Sequence, residues 1–301
     1  MNGEDTLAEQ SRDNRRGIYW ILLTTCLFTS LDATAKYLTQ DYPVPQVLWA
    51  RFSFHLLFVV VILGTRLSVT LRSKRFGLQF TRSVLMLITT GMFFFAVSKL
   101  PLADVVAIMF VGPLFVTALS VPILGDYVGP RRWAAVGIGF LGALVIVRPG
   151  SGIMHGFAIL PVLAAFSHAF YTITTRQLAN HDLPMTTLFY TAALGAVVTT
   201  AIVPFYWVTP DLTGWLLMAL AGFFGAAGHL TLIKALSYAS PVVIAPLTYA
   251  SLIWSIGIGF MLFGDLPDVT TLVGAALIAA SGLYVFHRER IRGNKVASAK
   301  K

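Results

Sequence analysis

Six side chains able to carry charge or a proton lie in stretches otherwise built of Leu, Val, Phe, Ala and Gly: Asp32, Lys36, Arg51, His55, His168 and His229. In a bilayer an ionisable group at a helix centre costs at least about 2.5 kcal/mol, so each asks for a reason. Asp32 and Lys36 are four residues apart on one helical face. That spacing lets them pair, as a structural ion pair near the outer surface or as part of a coupling site. Arg51 lies roughly 10 Å into its segment at about 1.5 Å of rise per residue, with His55 one turn deeper on the same face. A guanidinium there could hold a carboxylate through a forked pair of hydrogen bonds, or tie its helix to carbonyls or to Asp32. His168 and His229 could bind a ligand, exchange a proton, or link helices by hydrogen bonds. Tyr171, Tyr249 and Trp254 set aromatic faces beside these points, suited to stacking a heterocycle or holding a cation, or else to packing.

Other chemistries lack their residues. His55, His168 and His229 fall on three separate segments, and no H-E-x-x-H pattern or carboxylate pair at usable spacing occurs, so no metal site is expected. The single cysteine, Cys26, offers no disulfide framework. No G-x-x-x-x-G-K-[ST] loop is present to bind ATP, and no cofactor is expected. Gly137-Ile138-Gly139-Phe140-Leu141-Gly142 matches a dinucleotide fingerprint but lies inside an apolar segment with no strand before it. Glycines in that setting let helices approach, as do Gly222, Gly225 and Gly228, or Ala276, Ala279 and Ala280.

The elements that hold these residues are ten apolar segments: Gly17–Leu38, Val44–Leu63, Phe80–Ser98, Leu102–Leu124, Trp133–Val147, Ile153–Thr175, Leu183–Val203, Leu212–Leu236, Pro241–Phe263 and Val269–Phe286. Most reach the roughly 20 residues that a helix needs to cross about 30 Å of hydrocarbon. With 56% hydrophobic and 12% charged residues, the chain could not bury its apolar surface as a soluble domain. The expected class is an all-α integral membrane protein of ten transmembrane helices, with the lipid bilayer as its surroundings.

A net charge of +9 would suggest nucleic acid for a soluble protein. Here the basic residues follow the loops instead, and no nucleic-acid partner is expected. A cytoplasmic N-terminus puts eighteen of the 22 Lys and Arg on the inner side, leaving only Lys36, Arg51, Lys99 and Arg148 on the outer half. Both termini are thus expected in the cytoplasm, with the chain in a bacterial inner membrane. Arg15-Arg16 and Ala33-Thr34-Ala35 mimic an export signal, but the stretch between them is too long and nine more follow. Tyr19, Trp20, Tyr42 and Trp207 read as interfacial anchors.

Sliding the chain over itself by 139 positions aligns Ala96 with Ala235, Ser98 with Ser237, Gly125 with Gly264 and Asp126 with Asp265 without a gap. Each half holds five segments. An odd number sends the second copy into the membrane from the opposite side, giving two inverted five-helix repeats. The expected layout is a tail over 1–16, repeats over 17–148 and 153–287, and a basic tail over 288–301. Pro113 and Pro122 interrupt the fourth segment and Pro246 the ninth at a similar stage, marking hinges or static kinks. Inverted repeats suit carriers because opening outward in one state mirrors opening inward in the other.

The Gly-Asp pair that ends the fourth and ninth segments, with Gly137, Gly139 and Gly142 or Gly274 and Gly282 after it, resembles the Gly-Glu signature of the EamA family. That family belongs to the drug/metabolite transporter superfamily. Ala35-Lys36-Tyr37-Leu38 and Ala50-Arg51-Phe52 are similar to its patterns in the first and second helices. Both acidic positions here are Asp where the family more often has Glu. Arg131-Arg132-Trp133 and Lys234-Ala235-Leu236-Ser237 look most like the branch of bacterial S-adenosylmethionine uptake carriers. The resemblance implies a secondary carrier, not an enzyme, for a small polar organic metabolite that is amino-acid-like, a vitamin or heterocycle-bearing. A channel or lipid flippase is the alternative, with an intramembrane enzyme a distant third. Small-residue faces serve a homodimer as well as they serve contacts within one chain.

Overall fold

The computed structural model describes residues 3–125, 128–148, 156–179 and 181–299. These residues form helices and short 3-10 turns, with no strand among them. The helices are α1 (Gly3–Asp41), α2 (Val44–Leu63), α3 (Leu67–Thr70), α4 (Phe76–Val97), α5 (Leu102–Met109), α6 (Gly112–Leu124) and α7 (Pro130–Val147). The second half holds α8 (Ile159–Leu178), α9 (Pro184–Ile202), α10 (Leu212–Tyr238), α11 (Pro241–Ile244), α12 (Ala250–Phe263) and α13 (Val269–Ala299). A proline in the first turn starts α2, α7 and α9, where the missing N–H has no intrahelical partner to lose.

With α5 and α6 taken as one crossing and α11 and α12 as another, the chain crosses ten times. Among the described residues, nine crossings are long and apolar enough to span a membrane on that ground alone. The tenth is α8, 20 residues long but carrying Ser167, His168, Thr172, Thr174, Thr175 and Arg176. It begins later than the expected Ile153, and 153–155 lie outside the described residues. Ten crossings return α13 to the face at which α1 starts, called here the tail side; the opposite face is the far side.

Two boundaries differ from expectation in ways that matter. Helix α4 starts at Phe76 rather than Phe80, so Arg82 lies in its second turn, buried in the bundle, and not at its first. The fourth crossing breaks at Phe110 and Val111, ahead of Pro113, which sits harmlessly in the first turn of α6; Pro122 lies inside that helix. Pro246 falls in a 3-10 turn, Ala245–Tyr249, that precedes α12.

The repeat is visible atom by atom. Gly125 ends α6 in the left-handed region at φ 71°, its N–H directed at the carbonyls of Ser120 and Val121. Gly264 ends α12 at φ 70°, directed at Gly259 and Phe260, each 139 positions on. Only glycine adopts this cap without a steric penalty. Asp126, which follows the first cap, lies outside the described residues. Helix α1 packs along α10, and its counterpart α8 packs along α4. The last helices of the halves, α7 and α13, cross where a Cβ on Gly142 would meet the Gly274 carbonyl at 2.8 Å. Gly139 fits against Leu114 and Ser281, while Gly137 faces no neighbour.

One pair breaks the symmetry. On the far side α5 packs against α12; on the tail side their counterparts α11 and α6 are not closely packed together. The crossing Leu102–Leu124 is 56% buried in its most apolar stretch, whereas Ala245–Phe263 is 11% buried. The halves are closed upon each other at the far side and apart at the tail side.

A central polar cluster as the candidate binding site

Helices α1, α2 and α10 bring Asp32, Arg51, His55 and His229 together. Three glycines on α10 allow it. A Cβ on Gly222 would lie 2.8 Å from the His55 backbone nitrogen, one on Gly225 3.4 Å from His55 Nδ1, and one on Gly228 2.7 Å from the Phe28 ring. The His55 and His229 rings stack at 5.5 Å with 23° between planes, and Phe28 meets His229 edge-on at 5.0 Å. Phe52 wedges into the space left by Gly195 on α9, and the Arg51 guanidinium lies 4.2 Å above the Phe52 ring.

What distinguishes this cluster is how little of it is satisfied. Arg51 is 2% exposed, and its Nε and Nη1 have no hydrogen-bond partner; neither do Nδ1 and Nε2 of His55 or Nε2 of His229. Asp32 interacts with Arg51 through space, yet no ion pair or hydrogen bond joins them among the described residues. Each unsatisfied buried polar group costs about 1–3 kcal/mol, and a charged one more. Asp32 and His229 are half-buried in the bundle.

A second cluster is its opposite. Arg82 of α4 donates from Nε to Thr175 at 2.6 Å, from Nη1 to the Thr187 carbonyl at 3.2 Å and to the Thr191 hydroxyl, and from Nη2 to the Tyr171 hydroxyl. Its guanidinium also sits over the Tyr171 ring, on which His168 stacks at 5.3 Å. Tyr171 is therefore committed to Arg82, tying α4 to α8 and α9. The clusters adjoin: His229 interacts electrostatically with Arg51, Arg82 and His168.

Polar ties lie at each end. At the far side, Lys36 Nζ donates to Asp265 at 2.6 Å and to the Leu100 carbonyl at 3.0 Å, over the Phe263 ring. The expected Asp32–Lys36 pair does not form. The lysine stem carries its ammonium outward toward the wetter boundary, leaving Asp32 one turn deeper with Arg51. Arg148 pairs with Asp268 beside Thr270, and hydrogen bonds from that guanidinium and from the Thr271 N–H hold the Asp268 carboxyl well below its ordinary range. At the tail side Asp182 accepts from the Ser73 hydroxyl at 2.5 Å, the Lys74 N–H at 2.9 Å and Gln79 Nε2 at 2.8 Å. Desolvation pushes the Asp182 carboxyl up, but those three donors outweigh it and lower its pKa. A cleft of about 490 Å³ lined by Tyr42, Phe95, Lys99 and Tyr206 opens on the far rim, away from the central cluster.

The remaining expected residues lie elsewhere. Tyr249 lies against Phe110, the ring centroids 4.6 Å apart and the planes tilted by 48°, its hydroxyl fitting over Gly282 of α13. Phe110 and Tyr249 are repeat counterparts, so the two helix breaks touch each other. Trp254 Nε1 donates to the Thr25 hydroxyl at 3.1 Å, fastening α12 to α1. Sequence reasoning missed Arg82 and the partner role of Asp265. The available signal was the symmetry itself: Lys36 and Thr175 are counterparts, and each receives or supplies a tie at its own end.

The fold and its relatives agree. The chain is similar to a riboflavin transporter of Vibrio cholerae, 29% identical over 277 residues, covering 90% of this chain and 92% of that one. It is similar to an S-adenosylmethionine uptake transporter of Rickettsia bellii at 29% identity, covering 91% and 94%. A pseudopaline exporter of Pseudomonas aeruginosa is 24% identical, covering 89% and 94%. A solved crystal structure superposes with a TM-score of 0.58 at 18% identity, covering 90% of this chain and 95% of that one. Both halves match one family model, over residues 15–148 and 156–286, the same two stretches that the paired caps and crossing helices relate. A multi-pass membrane transporter of two five-helix repeats, the chain belongs to the EamA-like transporter family.

Proposed function

We propose that this chain is a secondary carrier of the bacterial inner membrane, with its tail side cytoplasmic. It moves a small polar organic metabolite, amino-acid-like, a vitamin or heterocycle-bearing, by alternating access. The observation that carries this reading is an asymmetry between symmetric parts: α5 and α12 are closed together at the far side, whereas α6 and α11 stand apart at the tail side. Exchanging the conformations of the two repeats reverses which side is open. Arg51, His55 and His229, with unsatisfied groups inside the bundle, are the substrate contacts in this scheme. The breaks at Phe110 and Pro246 are its hinges. Three relatives named for riboflavin, S-adenosylmethionine and pseudopaline support a heterocyclic or amino-acid-like cargo. Direction follows from the solute gradient.

The test is counterflow in liposomes containing the purified protein, with S-adenosylmethionine and riboflavin as first solutes. Uptake is expected to saturate and to accelerate when unlabelled solute waits on the opposite side. Flux linear in concentration without such acceleration identifies a channel, and scrambling of labelled lipid identifies a flippase; either overturns the proposal.

A further inference from the structure

Of the basic residues on the far-side half of the chain, Lys36 is held by Asp265, Arg148 by Asp268, and Arg51 is buried at the centre. Lys99 differs from all three. Exposed just beyond the end of α4, its ammonium has no ion pair or hydrogen bond among the described residues, and it stands on the wall of the far-rim cleft. That cleft holds about 490 Å³, within the range of small-molecule pockets, and Tyr42, Val44, Pro45, Phe95 and Tyr206 form its other walls. Both repeats build it, and their junction is pinned. Gln46 donates from Nε2 to the Val208 carbonyl at 2.7 Å and accepts from the Val208 N–H at 2.9 Å, fastening the link that carries Tyr206 to α2. The Tyr42 hydroxyl donates to Asp211 at 3.3 Å and fits over Gly214, where a Cβ would come within 2.2 Å of it.

Helix α2 begins at Val44 and α4 ends at Val97, so the cleft lies where the chain leaves the hydrocarbon, at the depth of lipid headgroups. Its rim faces lipid: Phe95 is 46% and Tyr206 51% exposed. We propose that the cleft binds one glycerophospholipid of the far-side leaflet, its phosphodiester on the Lys99 ammonium and its glycerol and upper chain against Val44, Pro45 and Phe95. The charge selects this occupant. A phosphodiester carries a single negative charge, which one lysine balances, whereas a phosphate monoester carries about −1.5 to −2. Asp211, directly behind Tyr42, opposes the surplus. A free anion would also leave the apolar walls in contact with water, while a lipid without phosphate would leave Lys99 unmatched. The site needs only the membrane setting and is separate from the central cluster.

The experiment uses the purified full chain in detergent. Phosphatidylethanolamine and phosphatidylglycerol are added, and retained lipid is counted by native mass spectrometry, with diacylglycerol and inorganic phosphate as competitors. A phosphatidylethanolamine bearing a photoactivatable diazirine near its glycerol then maps the contact by peptide mass spectrometry. One phospholipid per chain is expected to be retained, with crosslinks concentrated in residues 39–45 and 95–99. Lys99→Gln is expected to weaken retention about fivefold, the effect of one lysine near a lipid headgroup, whereas Arg72→Gln, at an exposed position on the tail side, leaves it unchanged. Because the crosslinking arm uses the wild-type chain, misfolding of a variant leaves the test intact. Crosslinks absent from those two segments overturn the proposal, as do equal effects of the two substitutions. Diacylglycerol competing as well as phospholipid shows an apolar groove indifferent to phosphate, and inorganic phosphate doing so shows a site for free anions; either result also overturns it.

Discussion

Arg51 and Arg82 are the same side chain buried in the same bundle, and their surroundings give them opposite tasks. Arg82 has its donors filled by Tyr171, Thr175, Thr187 and Thr191 and ties three helices together. Arg51 has two nitrogens filled by nothing. Arg82→Met is therefore expected to destabilise the fold by about 3 kcal/mol or more, since it strips a buried network of its centre. Arg51→Met is expected to leave the melting temperature unchanged or raise it while abolishing binding. Parallel melting curves in detergent decide the matter, and equal losses for both variants contradict the division of labour. Arg51, His55 and His229 were legible in the sequence because a charge stands out in an apolar run. Arg82 was not, since with the helix start placed at Phe80 it falls in the first turn and reads, like Arg75, as one more basic residue at the membrane boundary. One extra turn of helix moves it from the surface to the interior.

At the level of helices, small residues decide which neighbours may approach. A Cβ on Gly195 would lie 2.2 Å from the Phe52 ring, so any larger residue must push Phe52 off α9 and with it the guanidinium above. Gly195→Val is expected to cost about 1–3 kcal/mol, the usual range for overpacking. It is also expected to weaken binding of whichever ligand depends on Arg51, although residue 195 is placed against Phe52 and not in the central cluster. Calorimetry on the variant separates this from simple loss of fold. The sequence motif Gly137, Gly139, Gly142 correctly signalled close packing, but only two of its members face another helix; periodicity locates a stripe and not its exact partners. The break in the fourth crossing was expected at Pro113 and occurs just before it. A proline in a first turn loses no hydrogen bond, so its presence marks where a helix begins.

Across the whole molecule, the inverted arrangement was readable because a constant offset of 139 positions survives from the sequence into the caps at Gly125 and Gly264. What the sequence could not reveal was that Lys36 joins Asp265, more than two hundred residues away, instead of Asp32 on its own helix. That tie sits over the far-side seam where Leu102, fully buried, packs beneath Gly259. With Cys26 replaced by Ser, a cysteine at position 102 is expected to resist a membrane-impermeant maleimide. Adding Lys36→Met is expected to raise its labelling from the far side several-fold, by releasing the seam. Unchanged labelling means that apolar packing alone holds that end shut.

The Lys36–Asp265 tie is ionic, and the position that mirrors Lys36 in the other repeat is Thr175, which is neutral. Near-twin halves with an ammonium–carboxylate clasp at one end and only a hydroxyl, held by the Arg82 guanidinium, at the mirrored position do not divide their time evenly between the two compartments. A solute arriving from the clasped compartment finds a receptive vestibule in only a fraction of molecules, and its apparent dissociation constant is the intrinsic one divided by that fraction. One pocket thus presents two strengths of grip, weaker toward the compartment it faces less often, with no change in any atom that touches the cargo.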